Sequence, residues 1–442
     1  MHLFGTDGVR GTVGEYPFDV QTIRRLGAAL VQANSGAVHR LLIGRDTRES
    51  GAWIERELAH GARSRGASVT SAGIIPTPAI AFLTKSQGYD AGVMISASHN
   101  PFQDNGIKVF SGAGEKFTER LETEVELIVA DRSWSVPTGD AASVPLQDFT
   151  GAYLALARRV LPDAGRLRGL RLAVDCANGA TTEVAPRLFR ELGLRVTAIG
   201  CVPDGRNINL GCGSTAPALL ARTVVDGGHD IGVAFDGDGD RAIFVDHRGR
   251  LVDGDAVLLL SARQLKSEGR LRGSAVVASV MSNIGLEMAL RELDIDLVRC
   301  PVGDKHVMET MQKANLSHGG EQSGHVIFAD YLYTGDGLIT ALNVLRTMEA
   351  TGRALADLAS DLRTYPQVLL NVRVREKRTL EDVPAVSAAI ARVEDRLADK
   401  GRLLIRYSGT EPLLRIMLEG QDQDEINAWG EEIAQVVREN LG

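Results

Sequence analysis

Three carboxylates stand at every second position in Phe235-Asp236-Gly237-Asp238-Gly239-Asp240-Arg241. Gathered away from water, they repel one another by several kcal/mol unless a cation lies between them. The interposed glycines let the backbone curl until the side chains converge, so the segment predicts a site for a hard cation such as Mg²⁺. An EF-hand loop also opens D-x-D-x-D, but it needs glycine at its sixth position and glutamate at its twelfth. Those positions are Arg241 and His247, and the EF-hand reading is excluded. A solvated acidic turn is the plain alternative, and the apolar residues just before the cluster count against it. Three carboxylates leave Mg²⁺ short of oxygen ligands, and a phosphate would supply another.

A second cluster, Ile95-Ser96-Ala97-Ser98-His99-Asn100-Pro101, also follows an apolar run, and Lys108 lies downstream. A serine hydroxyl is a weak nucleophile until a base or a cation assists it. His99 titrates near neutrality and Lys108 brings positive charge, so both kinds of help are at hand. No G-x-S-x-G elbow occurs, which excludes an α/β-hydrolase serine. Arg406-Tyr407-Ser408-Gly409-Thr410-Glu411-Pro412, with Arg415 beyond it, offers guanidinium groups, hydroxyls and a glycine turn, the makings of a phosphate cradle. Gly320-Glu321-Gln322-Ser323-Gly324-His325 places polar side chains between glycines, able to hydrogen-bond sugar hydroxyls and, at His325, to move protons. Alone, this last signal weighs no more than an ordinary turn. Neither a Walker nor a Rossmann glycine pattern is present.

These loops need rigid elements behind them. Short apolar runs alternate with helical-period stretches, as in Leu41-Leu42-Ile43, Leu172-Ala173-Val174 and Ala275-Val276-Val277-Ala278, which predicts βαβ units with mainly parallel strands. Asp90-Ala91-Gly92-Val93 precedes the serine cluster as Asp230-Ile231-Gly232-Val233 precedes the aspartates. If that echo is a repeat, both loops sit at equivalent strand ends, where open α/β sheets bind ligands. Linkers are expected near 132–145, 246–254 and 363–367. Past Tyr365 the pattern changes to a small α+β unit, giving four domains: 1–148, 149–248, 249–364 and 365–442.

The 442 residues carry a net charge of −8, which disfavours general nucleic-acid binding. A local Arg/Lys cluster can still hold an anionic substrate. Four cysteines without a C-x-x-C pair read as reduced thiols, and no apolar run is long enough to span a membrane. A cytoplasmic protein is expected, with neither nucleic acid nor membrane as partner.

Taken in order with Phe4-Gly5-Thr6-Asp7-Gly8-Val9-Arg10-Gly11, the four clusters resemble the α-D-phosphohexomutase superfamily from end to end, above all its bacterial branch acting on glucosamine phosphates. The resemblance implies three related α/β domains with mixed, mainly parallel sheets around a cleft and a smaller C-terminal α+β domain. It implies interconversion of glucosamine 6-phosphate and glucosamine 1-phosphate, feeding UDP-N-acetylglucosamine synthesis, with glucosamine 1,6-bisphosphate as intermediate and activator. Ser98 becomes the phosphoserine, and Asp236, Asp238 and Asp240 join its phosphate around one Mg²⁺ per subunit. Arg10, His99, Lys108 and His325 surround the transferring group, and Arg241 falls in the substrate site. Glu321 and Ser323 read the sugar's 3- and 4-hydroxyls. Arg406, Ser408, Gly409, Thr410 and Arg415 hold the other phosphate. A homodimer is compatible with the resemblance. Two departures bear on sugar preference: Gly303-Asp304-Lys305-His306 where many members have Gly-Asp-Arg-Tyr, and Ala216 where many carry histidine. A phosphomannomutase/phosphoglucomutase with the same machinery is the alternative, which Gln322 disfavours. A silent phosphosugar-binding protein is a third reading, which the intact Ser98 and aspartates disfavour.

Overall fold

The computed structural model describes residues 3–5, 7–36, 38–398, 400–408 and 411–442; the expected phosphate-cradle residues Gly409 and Thr410 lie outside them. The chain forms two compact units, residues 1–281 with 294–361, and residues 282–293 with 362–442.

The first unit holds three sheets. Strands β1 (Phe4–Gly5), β2 (Gly8–Thr12), β3 (Arg40–Arg45), β4 (Ser68–Ile74), β5 (Ala91–Ile95) and β6 (Asp104–Ser111) make the first, in the order β1-β2-β6-β5-β3-β4. Strands β7 (Arg171–Asp175), β8 (Arg195–Ile199), β9 (Ile231–Phe235), β10 (Ala242–Asp246) and β11 (Leu251–Val252) make the second, ordered β11-β10-β9-β7-β8. Strands β12 (Ala275–Ser279), β13 (Asp296–Cys300), β14 (His318–Gly320) and β15 (Val326–Phe328) make the third, ordered β13-β12-β14-β15.

One topology occurs three times. A first strand pairs in parallel with the second and third, and the fourth returns antiparallel to the third. The third strands are β5, β9 and β14, and the loops leaving them carry Ser98, the aspartates and Glu321 respectively. The faint sequence echo is therefore a structural repeat, and it extends to a third copy. Strands β5 and β9 are buried at every position, as expected where helices cover both faces.

The segment expected as a linker near 246–254 holds a hairpin turn. Strand β10 pairs with β11 across a turn in which Arg250 Nε donates to Asp246 Oδ2 at 2.7 Å, and Asp253 then caps the helix Gly254–Ser267. A composition rich in charge and glycine marks a tight turn as readily as a linker.

The second unit is an antiparallel sheet of β16 (Gln367–Arg373), β17 (Arg402–Tyr407) and β18 (Leu413–Glu419), with β18 central. The helices Pro384–Leu397 and Gln423–Leu441 pack their apolar stripes, including Val386, Val393, Ile433 and Val437, on Val372, Leu414, Ile416 and Leu418. In this unit Arg406 and Arg415 are cross-strand partners, and Ser408 follows directly at the hairpin end. The Ser408 hydroxyl accepts from the Glu411 N–H at 3.3 Å, and Arg415 approaches Glu411 at 3.5 Å.

Candidate active site

Ser98 has φ of +52°, a left-handed conformation that costs a non-glycine residue free energy and persists only when its surroundings enforce it. They do so here. The Ser98 N–H donates to Ser96 Oγ at 2.9 Å, and Ser96 Oγ donates to Asp46 Oδ2 at 2.6 Å. The Ser98 carbonyl accepts from Arg48 Nη2 at 3.0 Å and from Asn209 Nδ2 at 2.9 Å. Arg48 is itself buried and paired with Asp46 at 2.9 Å. The hydroxyl that results donates to Asp236 Oδ2 at 2.5 Å and lies 3.3 Å from His99 Nδ1.

The aspartate loop is tied down by backbone bonds from three distant segments. Thr77 N donates to the Asp238 carbonyl, Ala180 N to that of Gly237 and Gly337 N to that of Gly239, at 2.8–3.0 Å. Gly237 is indispensable to this arrangement. A Cβ there would stand 2.5 Å from the Ser98 carbonyl oxygen and 2.8 Å from Ile208 Cδ1. Gly237→Ala must therefore push the serine loop off the aspartate loop. Such overpacking costs about 1–3 kcal/mol, and misplacing reacting groups costs rate besides. We expect kcat/KM to fall by at least about tenfold in steady-state assays of a variant that still melts cooperatively.

Asp236, Asp238 and Asp240 are all buried, each with a carboxylate oxygen within 4.8 Å of the others'. Arg241 Nε lies 3.9 Å from Asp240 Oδ1, and a lysine comes closer. Lys108 Nζ stands 2.9 Å from both Asp238 and Asp240 and 3.0 Å from Asp7. Burial alone would lower the lysine's pKa, but Asp238, Asp240 and Asp7 raise it well above its ordinary value. For Asp240, Lys108, His325 and Arg241 outweigh burial and bring its pKa to about 2. Asp236 goes the other way: burial, then Asp240 and Asp238, push it well up. The triad is thus short of positive charge at Asp236. Asp238 Oδ1 and Asp240 Oδ1 are buried without a hydrogen-bond partner. Unpartnered buried carboxylate oxygens are the donor set a hard divalent cation takes, so these residues fit one.

Beside the triad a cavity of about 570 Å³ is lined by Asp7, Arg10, His99, Arg241, Gly303, Asp304 and Glu321 among others. It adjoins a second of about 560 Å³ that shares His99, Arg241 and Glu321 and adds Ser214, Asp253, Gln322 and Ser323. Arg10 reaches the Ala97 carbonyl and Asn100 Oδ1 at 3.3 Å and pairs with Asp7 at 2.5 Å. Burial, Arg241 and Arg10 lower the His99 pKa and so favour its neutral imidazole. Arg241 and His325 face each other across an isolated β-bridge, and His325 Nε2 accepts from Gly335 N at 3.2 Å. Glu321 Oε1 accepts from Gly303 N at 3.1 Å at the start of the helix Asp304–Lys313.

The structure thus brings Ser98, His99, Lys108, Arg10, Arg241, His325, Glu321, Ser323 and the three aspartates to one place. Sequence reasoning gave no role to four neighbours. Asp7 bridges Lys108 and Lys116, Lys116 also pairs with Asp304, and the Thr77 hydroxyl donates to Asp238 Oδ2 at 2.5 Å. Asp7 lay within the N-terminal motif already singled out, whereas Lys116 and Thr77 stand in unremarkable sequence. The departures Lys305 and His306 line a third cavity of about 390 Å³ that shares Phe4, Gly5 and Gly303 with the first, and Lys305 pairs there with Glu122 at 2.6 Å.

Four domain descriptions of phosphoglucomutase/phosphomannomutase match in order: α/β/α domain I over residues 1–135, domain II over 152–249, domain III over 253–365 and the C-terminal domain over 369–436. Phosphoglucosamine mutase of Solibacter usitatus is 47% identical, with 100% of this chain and 99% of the relative covered. That of Geotalea daltonii is 46% identical over 100% and 98%. The chain belongs to the phosphoglucosamine mutase family. Among solved structures, a phosphoglucomutase/phosphomannomutase family protein from Burkholderia thailandensis superposes with a TM-score of 0.82 at 23% identity, covering 99% and 97% of the two chains. An N-acetylphosphoglucosamine mutase of Aspergillus fumigatus gives 0.69 at 18%, covering 100% and 96%. At these identities the likeness is one of fold. Family membership makes the chain a phosphohexomutase, an isomerase that works by phosphoryl transfer. No helix among the described residues is long and apolar enough to cross a membrane.

Proposed function

We propose that this protein interconverts glucosamine 6-phosphate and glucosamine 1-phosphate through a phosphorylated Ser98. The single observation that carries the reading is the Ser98 hydroxyl held 2.5 Å from Asp236 at the edge of a buried aspartate triad. On the first transfer the Ser98 Oγ–P bond breaks and a bond from phosphorus to the sugar's O1 forms. The proton of that hydroxyl ends on Ser98 Oγ. The product is glucosamine 1,6-bisphosphate. After it turns over in the cleft, its 6-phosphate passes to Ser98 by the reverse exchange, which frees glucosamine 1-phosphate and restores the enzyme.

Phosphoryl transfer is mostly positioning and charge neutralisation. Asp236, Asp238 and Asp240 would hold one Mg²⁺ together with the Ser98 phosphate, and the ion would draw negative charge from the transferring group. Lys108 pairs with Asp238 and Asp240 and helps hold them in place, and Arg10 and Arg241 place positive charge on the cavity wall. His99 and His325 complete the surroundings of the transferring group. We assign Glu321 and Ser323 to the sugar hydroxyls, and Arg406, Ser408, Gly409, Thr410 and Arg415 to the phosphate that stays in place. Four domains divided at 148, 248 and 364 accompany this reading, as does a cytoplasmic setting supplying UDP-N-acetylglucosamine synthesis; a homodimer is compatible with it.

The test is turnover with Mg²⁺ and a trace of bisphosphate on glucosamine, glucose and mannose 6-phosphates, followed by ³¹P NMR. Glucosamine 6-phosphate should have the highest kcat/KM. A clear lead for mannose or glucose phosphate would move the assignment to a phosphomannomutase/phosphoglucomutase.

A further inference from the structure

The two adjoining cavities differ in charge. Their shared lining carries His99, Arg241 and Glu321, and the first cavity adds Arg10. Glu321 in that shared lining and Asp253, which only the second cavity has, are carboxylates with which no cationic side chain pairs among the described residues. Asp7 and Asp304, by contrast, are matched by lysines. A half-buried carboxylate facing a substrate cavity without a counter-ion is costly to keep, unless the substrate brings the cation.

Asp253 is held in that position from both sides. Its Oδ1 accepts from Ala256 N at 3.2 Å as the cap of the helix Gly254–Ser267, and the Gln322 side chain lines the same cavity beside it. The Gly254 N–H donates to the Gln322 carbonyl at 2.9 Å, and a Cβ at Gly254 would fall 2.0 Å from the Glu321 carbonyl oxygen, so helix start and sugar-facing loop are locked together. Burial raises the Asp253 pKa, and its backbone and Gln322 hydrogen bonds offset only part of that. A cation brought alongside would complete the compensation.

We propose that Asp253, oriented by Gln322, receives the protonated 2-amino group of the substrate and sets the preference for an amino sugar over its 2-hydroxyl counterpart. This rests on the mutase reading given above. A charge-assisted hydrogen bond from an ammonium is roughly twice as strong as one from a hydroxyl, which gives Asp253 a basis for choosing. Gln322 acts through Asp253 and is a positioning residue.

The experiment is the ratio of kcat/KM on glucosamine 6-phosphate to that on glucose 6-phosphate, measured on one preparation each of wild type, Asp253→Asn and Gln322→Met. Inactive or unfolded protein cancels in the ratio, and asparagine still caps a helix. Asp253→Asn should lower the ratio by about tenfold or more, and Gln322→Met should lower it less, mainly through a higher KM for the amino sugar. An active wild type whose ratio is the same in Asp253→Asn, or which has no preference, overturns the assignment and leaves the mutase reading standing. A wild type that turns over neither sugar phosphate overturns the mutase reading itself.

Discussion

Ser98→Ala should reduce turnover of glucosamine 6-phosphate by more than about 10⁴-fold, because it deletes the atom on which the phosphoryl group is carried. The loss is not one of folding. The loop is held through Ser96, Arg48, Asn209 and the backbone of residue 98, and the hydroxyl's only described partners are Asp236 and His99. Alanine pays only the left-handed backbone cost that serine already bears. Intact-mass measurement supplies the second readout. A fraction of wild-type protein should weigh about 80 Da more than the sequence, one phosphoryl group, and the alanine variant should lack it. Near-normal turnover in the variant would take Ser98 out of the chemistry.

Asp238→Asn should have the next largest effect, on metal dependence. Asp238 gives one oxygen to Thr77 and Lys108 and leaves the other buried without a partner. Asparagine can still accept from both but carries no charge, so the deficit that makes the triad attract a divalent cation shrinks. The Mg²⁺ concentration for half-maximal activity should rise by about 10- to 100-fold, and kcat should fall with it. Binding to the folded state alone raises stability by RT ln(1 + [L]/Kd). Thermal unfolding with and without chelator should therefore show a smaller metal-dependent gain in Tm for the variant than for wild type. Superimposable metal titrations would mean that Asp238 is no ligand.

How far the sequence revealed this site depends on the kind of residue. Ser98 and the three aspartates stood out because their chemistry demands particular residue types at strand ends, and the glycines between the aspartates betray a backbone that must curl. The echo between residues 90–93 and 230–233 disclosed two of the three equivalent strands. The third escaped because β14 is only three residues long and contains two glycines, too little apolar pattern to register. Thr77, Lys116, Arg48 and Asn209 were invisible for another reason. Each acts through a contact spanning dozens of residues or more, and nothing local distinguishes an arginine that will be buried from one on the surface.

The aspartate loop receives hydrogen bonds from Thr77, Ala180 and Gly337, the first from beyond β4, the second from beyond β7 and the third from beyond β15. Parts of all three repeats are thereby fastened to five residues. Although the repeats look like modules that could be parcelled out, none can be melted or excised without freeing a strut of the loop. The larger unit should lose its structure in one cooperative step, and a proteolytic fragment carrying only the serine-bearing repeat or only the aspartate-bearing one should not retain the site.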